Sequence, residues 1–245
     1  MYIIGDIGNT EIKLCVFNSK KKLIKKNILN TNDVTNSNIN KKLRYLLLYK
    51  RNIRKIIFSS VVPHAFKIIK KSVKKIFKLE VNELKQFNLK KMLKINVNIN
   101  QVGSDRIANA ISVINYKDNF IVLDFGTATT FDVVLKDTYK GGIIAPGVNL
   151  SLNTLISKAK LIPNIKLTKI KNIIGNNTQS AVKSGFYWGY KGLIDNIINM
   201  IEKETKKEFK IIFTGGLSHL FKDIIDKKIK IDKDLTIKGL LKLID

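Results

Sequence analysis

The sequence predicts an α/β fold of two lobes, each with a mixed β-sheet and covering helices, and a cleft between them. Two observations carry this prediction. An apolar run is followed by an Asp and a glycine turn at two places in the chain. The motifs are Asp6-Ile7-Gly8-Asn9-Thr10 and Asp124-Phe125-Gly126-Thr127-Ala128-Thr129. Around these copies, β-type runs alternate with segments of helical periodicity. The duplication favours lobes of residues 1–116 and 117–245, with the boundary near residues 115–119.

The first element is a tight β-hairpin. An apolar run ends at Asp6, a turn at Gly8 follows, and residues 12–17 form the second strand. The only cysteine, Cys15, lies in this second strand. We expect Cys15 to be a small buried apolar residue, because it has no partner for a disulfide or a metal cluster and no nearby group to activate a thiolate.

The rest of the first lobe alternates strand and helix signals. The polar segment 27–40 predicts a loop or the approach to a helix, and residues 53–58 predict a buried strand. Pro63 suits the first position of a helix that continues through residues 65–77. Residues 105–116 predict a further helix, opened by Gly103.

The second lobe repeats this order. Residues 121–125 and 131–135 predict the second hairpin, and residues 178–204 predict one long helix or a bent pair. A third glycine turn, Thr214-Gly215-Gly216, again follows a short β-type run. The final stretch, residues 231–244, could pack on either lobe.

Composition limits the classes of partner. The formal net charge is +26, but the lysines are spread along the chain with abundant Ile and Asn, so a solvated basic surface is favoured over a nucleic-acid site. No apolar run reaches the roughly 20 residues that span a bilayer, and no basic leader precedes the first apolar run. We therefore expect a cytoplasmic protein without a membrane partner.

The repeated turns indicate phosphate chemistry. Glycine lets backbone N–H groups and short hydroxyls close on phosphate oxygens, and the preceding Asp offers a hard ligand for a cation. Either copy alone could be ordinary turn chemistry, since Asp and Gly are common in turns. Two matching copies and a third glycine turn favour a nucleotide held at several points.

Several motifs together resemble the type III pantothenate kinase family of the acetate and sugar kinase, Hsp70 and actin superfamily. Besides the two Asp motifs they are Gly103-Ser104-Asp105-Arg106 and Gly141-Gly142-Ile143-Ile144-Ala145-Pro146-Gly147. The resemblance extends over essentially the whole chain. It implies a duplicated actin-like, ribonuclease H-like fold and ATP-dependent phosphorylation of the 4′-hydroxyl of pantothenate, the first step toward coenzyme A.

The resemblance also implies roles for the residues that would bind ATP. Asp6 would act through Mg²⁺, and Asn9, Thr10 and Lys13 would contact phosphate oxygens, although Lys13 could also be an ordinary exposed strand lysine. Asp124 would bind a monovalent cation, K⁺ or NH₄⁺. The implied ATP-binding set is Asp6, Ile7, Gly8, Asn9, Thr10, Glu11, Ile12, Lys13 and Thr127.

The implied acceptor site centres on Asp105, the proton acceptor, which could alternatively be a plain helix cap. Arg106 suits a carboxylate or phosphate because its guanidinium offers forked donors. Thr178 would contact substrate or cap its helix. The implied substrate-binding set is Asn96, Gly103, Ser104, Asp105, Arg106 and Thr178.

One position departs from the family pattern. Asn96 stands where the family usually carries a substrate-contacting Tyr in a Tyr-x-Asn-Pro segment, whereas Asn98 is kept. Loss of the aromatic wall could loosen the pocket, so another small alcohol is the alternative acceptor. The resemblance further implies a homodimer. A regulatory or DNA-binding role is the non-enzymatic alternative, and the acidic groups at Asp6, Asp105 and Asp124 argue against it.

Overall fold

A computed structural model describes residues 1–244 of the 245-residue chain. The strands are β1 (Tyr2–Ile7), β2 (Glu11–Phe17), β3 (Leu23–Asn30), β4 (Lys55–Ser60), β5 (Val81–Glu83), β6 (Lys94–Ile95), β7 (Asn119–Phe125), β8 (Ala128–Leu135), β9 (Thr138–Pro146), β10 (Lys210–Gly215) and β11 (Ile229–Ile231). The helices are α1 (Ile39–Lys42), α2 (Pro63–Phe77), α3 (Ser104–Val113), α4 (Val148–Lys158), α5 (Thr178–Thr205), α6 (Ser218–Phe221) and α7 (Leu235–Leu241).

The chain forms two compact units. The first contains residues 1–114, residues 137–139 and the C-terminal stretch from Asp234; the second contains residues 115–136 and 140–233. The chain first passes from one unit to the other after Ile114, close to the boundary that the sequence duplication suggested. The C-terminal stretch, which a simple division at residue 116 gives to the second lobe, groups with the first unit.

The sheet of the first unit has the strand order β3-β2-β1-β4-β5. β1 pairs antiparallel with β2 and parallel with β4, so the predicted hairpin is confirmed and sits beside a parallel pair. One face carries Ile3, Ile7 and Phe58 and packs on α2 in a buried apolar cluster. Gly5 gives this face its close packing, because a Cβ there would lie 2.1 Å from the Phe58 ring.

The other side of this sheet is covered by α3 and α7, which contact β4 and β1. Cys15 points into this unit with 2% of its surface exposed, and burial raises the pKa of its thiol to about 11. The thiol is therefore protonated at neutral pH, and the prediction that Cys15 is a buried apolar residue is confirmed.

The second sheet has six strands in the order β6-β9-β8-β7-β10-β11, and its strands from β9 to β11 repeat the arrangement of the first sheet. β7 pairs antiparallel with β8 and parallel with β10, as β1 does with β2 and β4. Beneath it, the Phe125 ring packs against Phe213 at 5.0 Å and against Phe221 at 5.4 Å between centroids. The duplicated hairpin predicted from sequence therefore extends to a duplicated sheet.

Most predicted elements are confirmed. Pro63 begins α2, and residues 178–204 lie in the single helix α5 rather than a bent pair. The prediction of a loop from residue 27 was wrong for residues 27–30, which continue the edge strand β3 because their backbone pairs with β2. Among the helices of residues 1–244, none combines the length and the apolar character needed to cross a bilayer.

Candidate phosphoryl-transfer site

The first glycine loop is held in place by Thr31. The Gly8 amide donates to the Glu11 carbonyl at 3.0 Å and closes the turn. From the end of β3, the buried Thr31 hydroxyl donates to the Gly8 carbonyl at 2.7 Å, and the Thr31 amide donates to the Thr10 carbonyl at 2.9 Å. Asn9 and Thr10 remain exposed at the tip. A fixed turn with an exposed polar tip is suited to binding phosphate oxygens.

Asp6 lies in a row of polar residues across three strands. Its register partners are Lys13 on β2 and Ser59 on β4. Because directly paired residues in neighbouring strands point to the same face, a cation, a carboxylate and a hydroxyl lie side by side. Lys13 is thus next to the motif carboxylate and partly buried, which argues against an ordinary exposed strand lysine.

The chemistry of this row fits Mg²⁺ bound with a nucleotide. Magnesium in such sites keeps several waters and uses one or two carboxylates together with substrate phosphates, so a single Asp is sufficient. The Oδ1 atom of Asp6 is buried within the first unit, which reduces competition from bulk water. Lys13 beside it supplies positive charge for phosphate oxygens.

Asp105 lies in the first turn of α3. The residue at the cap position is Gly103, and no side chain caps this helix, so the plain cap role considered from sequence is not the one observed. The Asp105 Oδ1 atom accepts from the Arg106 amide at 2.8 Å. Burial raises the pKa of the Asp105 carboxyl above its usual range, against the lowering effect of the Arg106 amide and charge. A carboxylate with raised proton affinity is suited to general-base chemistry.

The residues around Asp105 leave space for its carboxylate. A Cβ on Gly103 would lie 2.4 Å from the Asp105 Oδ1 atom and 3.3 Å from Val61. Ser104 is buried, and Arg106 is partly buried on the same turn. Within the first unit, the structure therefore brings together the four residues of the Gly-Ser-Asp-Arg motif.

In the second unit, Asp124 occupies the position that Asp6 has in the first. Its register partners are Thr130 on β8 and Thr214 on β10. Gly215 follows with a positive φ of 82°, and a Cβ there would lie 2.6 Å from the Asp124 Oδ1 atom. The glycine leaves a cradle beside the carboxylate, flanked by hydroxyl groups, and oxygen ligands of this kind fit a hard monovalent cation.

Gly147 closes on the second glycine loop. Its amide donates to the Thr127 carbonyl at 3.1 Å, and a Cβ on Gly147 would lie 2.2 Å from the same oxygen. The last glycine of the Gly-Gly-x-Ile-x-Pro-Gly motif thus packs on the loop that presents Thr127. Thr127 is exposed, as a nucleotide contact requires.

The segment at Asn96 is anchored by its backbone. Asn96 donates its amide to the Tyr139 carbonyl at 3.1 Å, and its side chain is exposed. Asn98 caps a short 3-10 turn by accepting from the Asn100 amide at 3.1 Å. The Asn98 that this sequence shares with the family pattern therefore has a structural role here.

Thr178 is the first residue of α5 and is exposed. The cap of this helix is Asn177, which accepts from the Ser180 amide at 2.8 Å in a reciprocal capping box. The alternative that Thr178 is the helix cap was therefore wrong, and its hydroxyl lies at the start of the helix, within the second unit.

Residues 2–200 match the family model for type III pantothenate kinase. A type III pantothenate kinase of Pelagibacter ubique (strain HTCC1062) is 58% identical over 99% of this chain and 98% of its own length. The chain belongs to the type III pantothenate kinase family. A further member, from Sulfurihydrogenibium sp. (strain YO3AOP1), is 39% identical over 98% of both chains.

Solved structures agree with this membership at the level of fold. A Campylobacter jejuni protein described as a Baf family transcriptional activator superposes with a TM-score of 0.62 at 22% identity, covering 99% of this chain and 96% of the other. A sugar kinase from Cytophaga hutchinsonii superposes with a TM-score of 0.53 at 12% identity, covering 100% of this chain and 99% of the other. The predicted actin-like α/β fold class is confirmed.

Family motifs do not include every residue that builds the site. Thr31 holds the first loop through contacts between separate segments, and no local pattern in the sequence predicts them. Ser59 had a signal that sequence analysis missed: β4 is Lys-Ile-Ile-Phe-Ser-Ser and β10 is Lys-Ile-Ile-Phe-Thr-Gly. The duplication therefore includes the hydroxyl beside each motif Asp.

Proposed function

We propose that this chain transfers the γ-phosphoryl group of ATP to the 4′-hydroxyl of pantothenate, giving 4′-phosphopantothenate and ADP in the first step of coenzyme A biosynthesis. The observation that carries the proposal is Asp105, whose carboxyl has a raised pKa at the start of α3 inside an intact family motif. Phosphoryl transfer needs positioning, charge neutralisation and a group that takes the hydroxyl proton, and the chain has a candidate for each.

Each group has a distinct task in this proposal. The Asp105 carboxylate accepts the proton as the hydroxyl oxygen attacks phosphorus, and the bond to the β–γ bridging oxygen breaks. Arg106 binds the pantothenate carboxylate or the transferring phosphoryl group, with Gly103 and Ser104 shaping the pocket. The loop from Asp6 to Lys13 holds the ATP phosphates, and the second loop adds Thr127. Thr178 contacts the acceptor.

Two cations complete the proposal. Asp6 would hold Mg²⁺, which would neutralise charge on the nucleotide phosphates. Asp124 would hold K⁺ or NH₄⁺, and the cradle left by Gly215 supports this assignment. Both carboxylates are partly buried at strand ends in matching register positions, which supports a related use of the two motifs.

Pantothenate is the preferred acceptor despite the substitution at Asn96. The segment around it is fixed by the bond from the Asn96 amide to Tyr139, so the change removes an aromatic wall without removing the backbone that carries it. An amide side chain can still hydrogen-bond to a polar substrate. We expect a lower affinity for pantothenate and no change of reaction class.

We propose a cytoplasmic homodimer as the working form. The second unit exposes large apolar side chains on and around α4, including Leu150 at 50%, Ile144 at 63% and Leu161 at 93%. Exposed apolar surface of this kind favours burial against a partner, and a second copy is what the family resemblance implies. Light scattering at two protein concentrations, with Leu150→Glu as the variant, tests the assembly.

Product analysis tests the chemistry. Purified protein is incubated with MgATP, K⁺ and pantothenate, and the product is identified by mass and by phosphorus–proton coupling at the 4′ carbon. We expect one phosphate ester at that position, formed about 10²–10⁴-fold more slowly by Asp105→Asn at the same protein concentration. A phosphate elsewhere on the molecule, or ATP hydrolysis without ester formation, would contradict the proposal.

A further inference from the structure

Ser59 carries a buried hydroxyl with no hydrogen-bond partner among the described residues. The residue is 0% exposed at the end of β4 and its Oγ atom contacts no donor or acceptor in residues 1–244. Leaving a buried hydroxyl unsatisfied costs free energy, and most buried polar groups in folded proteins are hydrogen-bonded, so this hydroxyl needs an explanation. The adjacent Ser60 differs, because its hydroxyl bonds to the backbone of Val62.

The strand register places Ser59 beside Asp6. Ser59 pairs in parallel register with Asp6, so the hydroxyl and the carboxylate lie on the same face of adjacent strands. The Oδ1 atom of Asp6 is itself buried. Rotation of the Ser59 side chain about one bond changes where the hydroxyl points, and such rotations are between ordinary staggered positions.

The second unit repeats this pair. Thr214 pairs in parallel register with Asp124, at the same position of a strand that begins with the same four residues, Lys-Ile-Ile-Phe. Thr214 is also buried, with 3% of its surface exposed. A hydroxyl beside each motif carboxylate is therefore a feature of the duplicated design, and does not depend on a single serine.

We propose that Ser59 is a positioning residue for Asp6: its hydroxyl donates a hydrogen bond to the Asp6 carboxylate when Mg²⁺ and nucleotide are bound, and fixes the carboxylate orientation. This inference rests on the proposed role of Asp6 in holding Mg²⁺. Partners behind a metal-binding group set its orientation, and their loss typically lowers metal affinity or activity by about 10–100-fold.

The test compares two buried serines in the same unit. Ser59→Ala removes a hydroxyl that makes no hydrogen bond within residues 1–244, whereas Ser72→Ala removes a hydroxyl on α2 that donates to the Asn40 side chain on α1 at 2.7 Å. Calorimetry measures ATP binding with and without Mg²⁺, and thermal melting measures stability. Neither readout needs the acceptor, so failure of the pantothenate assignment leaves this test intact.

We expect the two alanine variants to differ in opposite ways in melting temperature and in Mg²⁺ requirement. Ser59→Ala should melt within about 2 °C of wild type and require about tenfold more Mg²⁺ for half-maximal ATP binding, with Mg²⁺-free binding unchanged. Ser72→Ala should melt lower and keep the wild-type Mg²⁺ requirement. Ser59→Thr, which copies Thr214, should restore most of the Mg²⁺ response.

Two results would overturn the proposal. A wild-type Mg²⁺ requirement in Ser59→Ala would show that the hydroxyl does not act on Asp6. A large drop in melting temperature for Ser59→Ala, with Mg²⁺-dependent and Mg²⁺-free binding reduced alike, would show that the hydroxyl supports folding rather than the carboxylate.

Discussion

Thr236 on α7 donates a hydrogen bond of 2.9 Å to the side chain of Asn109 on α3, and both residues are buried. Close backbone packing surrounds this bond, since a Cβ on Gly239 would lie 1.8 Å from the Ala108 carbonyl oxygen. Lys242 then donates to the Ile111 and Ser112 carbonyls at 2.9 Å each, at the C-terminal end of α3. The last helix thereby fixes the helix that carries Asp105.

Thr236→Val tests whether these contacts between α7 and α3, here called the clamp, stabilise the protein. The change keeps the shape of the side chain and removes the donor to Asn109, which leaves a buried amide oxygen with one bond fewer. We expect the free energy of unfolding to fall by about 1–3 kcal/mol, measured by urea denaturation. Thr205→Val is the control, because the Thr205 hydroxyl donates to the Ile201 carbonyl within its own helix, and its loss should cost less. Equal losses in the two variants would contradict the clamp.

Asp105→Asn tests the general base. The amide keeps a hydrogen-bond acceptor for the Arg106 amide and cannot take a proton from the substrate, so turnover should fall by about 10²–10⁴-fold while the protein stays folded. Steady-state ADP release and far-ultraviolet circular dichroism measure the two properties. Retained activity in the folded variant would remove the catalytic role.

The same variant has a predicted pH signature in stability. Burial raises the pKa of Asp105 above its ordinary value of 3.8, so the folded state binds the proton more tightly than the unfolded state between the two values. The contribution of Asp105 to stability therefore decreases as pH rises from about 4 through the raised pKa. Asp105→Asn should match wild type at acid pH and be more stable at neutral pH. A constant difference in unfolding free energy across that range would contradict the raised pKa.

Thr31→Val tests the support of the first glycine loop. The variant loses the hydroxyl bond to the Gly8 carbonyl and keeps the amide bond to Thr10. We expect KM for ATP to rise about three- to tenfold with a smaller change in kcat, because one hydrogen bond that positions the loop is lost. Thr31→Ser retains the hydroxyl and should be close to wild type. A rise in KM for pantothenate alone would place the effect elsewhere.

Asp124→Asn tests the monovalent cation site. The amide keeps the size of the side chain and removes the charge beside Gly215, so K⁺ should no longer improve ATP binding. Titrating ATP with K⁺ or with a bulky quaternary ammonium salt at equal ionic strength separates a specific site from screening. A K⁺ response equal to that of wild type would remove the assignment.

Gly147→Ala tests the contact between Gly147 and the second glycine loop. The added methyl group would lie 2.2 Å from the Thr127 carbonyl oxygen, so the loop must shift. We expect weaker ATP binding, measured by calorimetry, and a lower melting temperature, because the methyl group meets backbone atoms of residues 126 and 127. Gly185→Ala is the control, since a Cβ there meets nothing within 4 Å among the described residues. Unaltered ATP affinity in Gly147→Ala would contradict a role for this contact.

Local signals were sufficient for much of the fold. The Asp-x-Gly turns between apolar runs predicted both hairpins, and Pro63 marked the start of α2. The segment from residue 27 was harder, because its Asn and Lys side chains are polar and only pairing with β2 makes it a strand. Edge strands of this kind have weak patterns, since one side of the strand faces water.

The site was predictable where it uses motifs and not where it uses contacts between distant segments. The Gly-Ser-Asp-Arg motif located Asp105, but the sequence does not reveal that α7 clamps α3 or that Thr31 holds the first loop. These are tertiary hydrogen bonds between residues far apart in the chain, for which spacing carries no signal. The Ser59 hydroxyl was predictable in part. Its equivalence to the Thr214 hydroxyl can be seen only when the sequences of β4 and β10 are aligned.

The most direct test of the account is ADP release from purified protein with MgATP, comparing pantothenate with a panel of sugars and small alcohols, each with and without K⁺. The account predicts turnover with pantothenate, little with the panel, and loss of most activity without K⁺. Turnover with a sugar but not with pantothenate would contradict the acceptor assignment. Folded protein that binds ATP yet releases no ADP with any acceptor would contradict the assignment of this chain as an active pantothenate kinase.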